Sequence, residues 1–518
     1  MRLTTPISCL TVLSLAGTAA AADLTIADLA PAETALVIGV DDFTDFRESL
    51  DNTPVGTWLA DDDVQGWLDE KLTEFFEEMN SSFDSLELER DDFVMPAGAG
   101  GFALWLAMPE ETEDEDLPEP EVHMLFFAEF DEEGVETMQE TIDSVLEESE
   151  DADDMLVERT DFSDDVEIIT ITEVVEEEEE EMDDFMGGWE MEEEEPVPVH
   201  FARSGNYFVA SSSMDGLESA LERIDGDEID SLATTDRLDQ ALADMDRGHG
   251  YGAVLIETLV EFQGELDDAL EPHREDEWSF APPAMKPLIE ALGLGSVQSA
   301  AGNLVLDADS GITESEFLVR TPVKEGVLEV FNADAQSTAE PPAFITGDVV
   351  SVTAIQAQFK DLVPAIRQAV NSLPPEERMQ ANQMLGMVGI ATPILNEIGP
   401  RVYITQSITR PFSIESQKQL FIVELIDQEA LVASFAPLAE GFLGMVPREF
   451  QGGTVFSTDA EMMGPGFAVG IASGFAFVGE TAQVEESLLL AANPSGTTLA
   501  NDDRYKAAME GLPVDVLS

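Results

Sequence analysis

Cysteine is almost missing from this chain: Cys9 is the only one in 518 residues. No disulfide framework can form within the chain, and a cysteine-based structural zinc site has no ligands. Basic residues are scarce too, with 22 Lys and Arg against 110 Asp and Glu. Phosphate contacts need Lys and Arg clusters, so nucleic acid is not an expected partner, and neither is an anionic membrane surface. There are four histidines, His123, His200, His249 and His273, none paired at i+3 or i+4, and no His-Glu-x-x-His motif. The Gly-x-Ser-x-Gly elbow of the α/β-hydrolases is missing. Gly98–Gly101 and Gly464–Gly466 are glycine-rich, but neither carries the lysine of a phosphate loop and both read as turns. Long apolar runs are lacking as well. The best, Met384–Leu395, is short and interrupted by Gly386, Gly389 and Pro393, so it reads as a buried, kinked helix and not a membrane span.

The N-terminus has a recognisable order. Arg2 precedes an apolar run, Ile7 to Leu15, and then the small residues Gly17 to Ala22. That is the layout of a secretory signal cut after Ala22. Residues 1–22 are therefore expected to be a signal peptide, and the mature chain to work outside the cytosol, in the periplasm or beyond. Cys9 lies inside the apolar run, where a lipoprotein anchor would not place it, so the expected mature chain is cysteine-free. At nearly five hundred residues it can bury more than one core.

Charge is unevenly spread. Residues 1–280 hold 81 acids and 10 bases, and residues 281–518 hold 29 acids and 12 bases. Much of the excess lies in 110–121, 147–154 and 173–198, the last with Glu176 to Glu181 unbroken. Such blocks repel themselves and bury little, so they are expected as loops. Three explanations stand open: solubility in salty surroundings, where the Debye length falls to ~3 Å at 1 M; divalent-cation binding; or docking of a basic partner.

An internal repeat is the most informative feature. Ser204-Gly205-Asn-Tyr-Phe208-Val209 answers Ser473-Gly474-Phe-Ala-Phe477-Val478, and Ser231-Leu232-Ala233…Asp236-Arg237 answers Thr498-Leu499-Ala500…Asp503-Arg504. The pattern reads as strand, helix, loop, helix, with Met214, Leu217, Leu221 and Ile224 on one helical face. The Asp-Arg pair sits at a helix start. There the Asp can cap and the Arg can reach a carboxylate or carbonyl; an active-site pair is the sharper alternative. Elsewhere, paired apolar strands are expected at 102–108 with 124–130, 303–307 with 316–320, and 402–407 with 420–425, and single strands at 166–172 and 200–210. A helix is expected at 132–148.

These elements predict an α+β fold, with antiparallel sheets covered by helices and built from a repeated strand-helix unit. The first unit spans 23–270, a partial unit or connector with a strand hairpin spans 271–340, and the second unit spans 341–518. The first copy leads into the strand Gly250–Ile256, which the second copy, ending at Ser518, is expected to lack.

The opening Leu29-Ala30-Pro31-Ala32-Glu33-Thr34, the strand that follows, and Thr53-Pro54-Val55-Gly56-Thr57 resemble the start of a family of exported bacterial proteins catalogued as domain of unknown function 3352. So do the Ser-Gly…Phe-Val strand and the Leu-Ala…Asp-Arg helix start. The resemblance covers most of the mature chain but rests on packing and turn residues. It implies an extracytoplasmic location and carries over no activity and no catalytic residues.

For a metal, the nearest pattern is Asp307-Ala-Asp309-Ser-Gly311 with Glu314 and Glu316. Its glycine is one position early for a calcium loop and its closing Glu is misplaced; a hairpin tip is the competing reading. Asp225-Gly226-Asp227-Glu228 is a weaker case of the same kind. Carboxylates are too abundant for any pair to be singled out for glycoside hydrolysis. No cofactor is expected beyond loosely held divalent cations, and the candidate partners are a basic protein or such cations. The expected function is a non-enzymatic binding or scaffolding module of the cell envelope. The alternative is a hydrolase acting on an envelope or extracellular polymer.

Overall fold

The computed structural model describes residues 24–61, 64–66, 95–108, 120–151, 155–163, 166–173, 198–227, 229–245, 247–274, 284–307, 312–331, 341–347, 349–373, 375–384, 388–408, 416–441, 443–458, 466–493 and 498–511. The expected signal, residues 1–22, lies outside them, as do 109–119 and 174–197, which carry most of two acidic stretches. The fold is α+β, with two antiparallel sheets in two compact units.

The first unit takes in Met1–Pro282 and Val297–Pro322. Its strands are β1 (Thr34–Val40), β2 (Gly100–Ala107), β3 (Glu121–Glu129), β4 (Met155–Asp161), β5 (Glu167–Glu173), β6 (Val199–Ser204), β7 (Tyr207–Ser211), β8 (Gly250–Leu255), β9 (Ser299–Asp307), β10 (Ile312–Glu314) and β11 (Phe317–Arg320). They pair in the order β10-β9-β8-β1-β2-β3-β7-β6-β5-β4, with β11 also on β9. The second unit, Pro283–Ser296 with Val323–Ser518, holds β12 (Ser351–Gln356), β13 (Ile398–Ile408), β14 (Gln417–Leu425), β15 (Val446–Phe450), β16 (Gly453–Ser457), β17 (Phe467–Ala472) and β18 (Phe475–Glu480). Their order is β12-β13-β14-β18-β17-β16-β15, the same path that β1-β2-β3-β7-β6-β5-β4 follows in the first unit.

Strand alternation sends every second residue to one face. In the first unit Val37, Ala103, Leu125, Phe127 and Val209 meet the helices Ile26–Leu29 and Met214–Ile224. On the opposite face Phe201, Phe208 and Ile169 pack under the helix Glu132–Asp151 through Met138, Ile142 and Leu146. The second unit repeats the arrangement. Val484 and Leu488 of the helix Thr481–Ala492 cover one face, and Leu431 and Ala439 of the helix Gln428–Gly441 cover the other. Arg223 is a buried tie in the first unit. Its guanidinium donates to the carbonyls of Leu29 (2.6 Å) and Asp230 (2.5 Å).

Four expectations differ from the structure. The segment 200–210 is not one strand but the hairpin β6–β7, turning at Gly205 with φ +59°; a two-residue turn needs a positive φ, which glycine supplies. The acidic stretch 147–154 is helical as far as Asp151, because Leu146 and Ser149 continue the buried stripe of that helix. Residues 384–395 fall in two helices, Pro375–Met384 and Val388–Leu395, with 385–387 outside the described residues. The segment 271–340 is shared: its strands β9 to β11 extend the first sheet because β9 pairs with β8, while 283–296 and 323–331 belong with the second unit. Among the described residues no helix is long and apolar enough to cross a membrane.

Candidate functional site

The backbone of three of the four calcium candidates, Asp307, Glu314 and Glu316, is described. Asp307 of β9 pairs in register with Ile312 of β10. Asp309 lies outside the described residues. Glu314 stands opposite Val305. Glu316 is engaged by Asn303, whose Oδ1 accepts the Glu316 N–H at 2.8 Å and whose Nδ2 lies 3.4 Å from its carboxylate. Among the described residues no three His, Cys, Asp or Glu are grouped to hold a metal ion. Gly226, with φ +95°, makes the Asp225-Gly226-Asp227 stretch a turn after its helix.

The histidines serve separate local roles. His200 is buried within β6, with Nδ1 2.9 Å from Thr170 Oγ1. Burial pushes its pKa below the usual histidine value. His123 stacks obliquely on Trp105 and lies 3.1 Å from Glu121. His249 accepts the Leu306 N–H on Nδ1 (3.1 Å), which leaves Nε2 as the protonated nitrogen facing Asp45 at 3.4 Å. His273 sits in the last turn of the helix Ile256–Arg274.

In the repeated Asp-Arg pairs the arginines are ties within the fold. Arg237 donates to Thr258 Oγ1 (3.0 Å) and Glu261 (2.6 Å) and lies 3.5 Å from Glu257. Arg504 reaches the Gly347 carbonyl and both oxygens of Asp502. The aspartates do not cap: Asp236 makes no side-chain cap bond, and Asp503 is fully exposed. Other cations are committed in the same way, as Arg274–Asp267, Arg320–Asp244, Arg448–Glu485 and the forked Arg401–Glu424 pair show. Among the described residues Asp41 is the one carboxyl held above its usual range, by partial burial and by Asp28, against the pull of Arg247. Asp28 is already occupied by the Thr25 N–H and hydroxyl at 2.8 and 2.7 Å. The two therefore do not make a free acid and base pair.

A different feature, carried by no sequence motif, crosses the first sheet. Phe317 of β11 pairs with Gly302 of β9, Gly302 with Gly252 of β8, and Gly252 with Ile38 of β1. These four side-chain positions share one face. Phe317 is 75% exposed and Ile38 51% exposed, with Val319 beside Phe317 also exposed. Between them lie two positions with no side chain. At ~4.8 Å per strand step, Ile38 and Phe317 stand roughly 14 Å apart, flanking a flat slot. Packing within the fold does not demand glycine at 252, and at 302 it is tight against one backbone oxygen alone. A Cβ on Gly252 would meet only Val37 O and Ile38 Cγ1, at 3.5 and 3.6 Å, and one on Gly302 only Glu316 O and Phe317 Cδ2, at 3.3 and 3.7 Å. By contrast a Cβ on Gly39 would stand 2.5 Å from the Tyr251 ring. Strand-interior glycine unexplained by its own packing marks a place where something else approaches closely. Compared with known proteins, the chain matches no family model, no curated protein and no solved structure.

Proposed function

We propose that this is an exported, non-enzymatic binding module of the cell envelope whose first sheet holds a basic partner through apolar contacts. One observation carries the reading: the row Phe317, Gly302, Gly252 and Ile38, exposed at its two apolar ends and half-buried at its two glycines, on a chain whose net charge is −88. An exposed apolar surface on a soluble fold is a common mark of a binding face. The charge selects against acidic partners and draws basic ones, at a rate that salt depresses. The export signal expected at residues 1–22 and the resemblance to exported proteins support the location.

The test is titration of the full chain with a synthetic peptide alternating Lys and Phe, read by anisotropy, with and without Gly252→Val. Binding that salt weakens and that the valine removes supports the reading. Binding indifferent to the valine overturns it. The rival hydrolase reading gains if the chain cleaves an envelope polysaccharide and Asp41→Asn abolishes that cleavage.

A further inference from the structure

The two sheets share one strand order, but their first strands are treated differently. β1 is hydrogen-bonded on both sides, by β2 and by β8, and its Ala35 and Val37 are buried. β12 holds the same place in the second sheet and, among the described residues, pairs with β13 alone. Ser351, Thr353, Ala354 and Ile355 are exposed. Open edges are usually blunted by charge, proline or a bulge, because a bare edge templates pairing with another chain. Three of the four sheet edges follow that rule. β4 carries Glu158, Arg159 and Asp161; β15 carries Pro447, Arg448 and Glu449; the β10–β11 edge breaks at Ser315–Glu316 and ends in Arg320. β12 does not follow it. Ser-Val-Thr-Ala-Ile-Gln has no charge, proline or glycine, and Val352, Thr353 and Ile355 are β-branched strand formers.

We propose that the outer edge of β12 accepts an antiparallel strand from another polypeptide, one patterned like β8. The first unit supplies the template: Gly-Tyr-Gly-Ala-Val-Leu, uncharged and mixing small with apolar residues, lies antiparallel on β1. A second copy of this chain is a poor donor, because its own β8 is held on both sides by β1 and β9 and its charge is −88. The Ala357 N–H donates to Pro400 O. Strand alternation then turns the amides of Val352 and Ala354 outward, toward the incoming strand.

The probe is a labelled peptide of residues 249–256, His-Gly-Tyr-Gly-Ala-Val-Leu-Ile, titrated into the full chain. Two N-methylated versions, one for each alternate set of amides, accompany it. The expected result is saturable binding, about tenfold weaker for one of the two methylated peptides, with slowed hydrogen exchange at Val352 and Ala354. Ala354→Pro, placed where an edge tolerates proline, is expected to weaken binding to a similar degree. If that variant does not fold, the exchange measurement on the native chain decides. No binding, equal affinity for all three peptides, or amides at Val352 and Ala354 already slow in the free chain would overturn the proposal. Gly252→Val leaves this binding unchanged, which separates it from the sheet-face reading above.

Discussion

Alanine at two glycines of adjacent strands is expected to act in opposite directions. Gly39 of β1 pairs with Tyr251 of β8, whose ring is buried. An added Cβ would lie 2.5 Å from ring Cζ, 2.6 Å from the hydroxyl and 3.0 Å from Cε1. The ring must move in a packed core, at a cost of ~1–3 kcal/mol. Removing glycine from a strand returns ~0.5–1 kcal/mol, so Gly39→Ala should lose about 1–2 kcal/mol net. At Gly252, one strand over, the added Cβ makes only ordinary contacts, and Gly252→Ala should gain about 0.5 kcal/mol. The assay is urea unfolding followed by tryptophan fluorescence. The two described tryptophans, Trp58 and Trp105, belong to the first unit, so their signal reports that unit. With a slope of ~3 kcal/mol/M, the Gly39→Ala midpoint should fall by roughly 0.3–0.7 M. A Gly39→Ala midpoint at or above wild type, or a Gly252→Ala midpoint below it, refutes the account of why each glycine is there.

Three further expectations concern buried and charged groups. Arg223→Met should cost roughly 1–3 kcal/mol in the same assay, because it strands the buried carbonyl of Leu29 and unties Asp230; Arg223→Lys should recover only part of this, since an ammonium lacks the guanidinium's rigid fork. His200 has its pKa lowered by burial, so the unfolded chain binds its proton first. Its contribution is fully present above about pH 6.5 and is lost as pH falls below that value, so His200→Gln should flatten the stability profile between pH 7 and 5. In thermal melts, sodium chloride should raise the midpoint by screening, and calcium at matched ionic strength should do no more; a larger calcium effect lost in the Glu314→Gln, Glu316→Gln variant would establish that site instead.

Much of the fold was legible along the chain because its signals are local. Alternation marked the paired strands near 102–108 and 124–130, and the 3.6-residue stripe marked Leu217 and Leu221, which are buried as expected. β4 was not legible. Met155–Asp161 reads as a polar, acidic stretch, and its strand character comes from pairing with β5. The Asp-Arg motif drew attention, yet its arginines proved to be ties within the fold, while the slot and the β12 edge have no motif.

The sequence by itself determined the strongly patterned strands and helices and the sign of the charge, since these depend on composition and on neighbours within a few residues. Only the tertiary structure decided what those segments meet. Residues 38, 252, 302 and 317 become one row through the registers of four strands, and β12 becomes an edge because no described strand pairs beyond it. Strand register is set by hydrogen bonds between segments far apart in the chain, so the surface it exposes is written in no single stretch of residues.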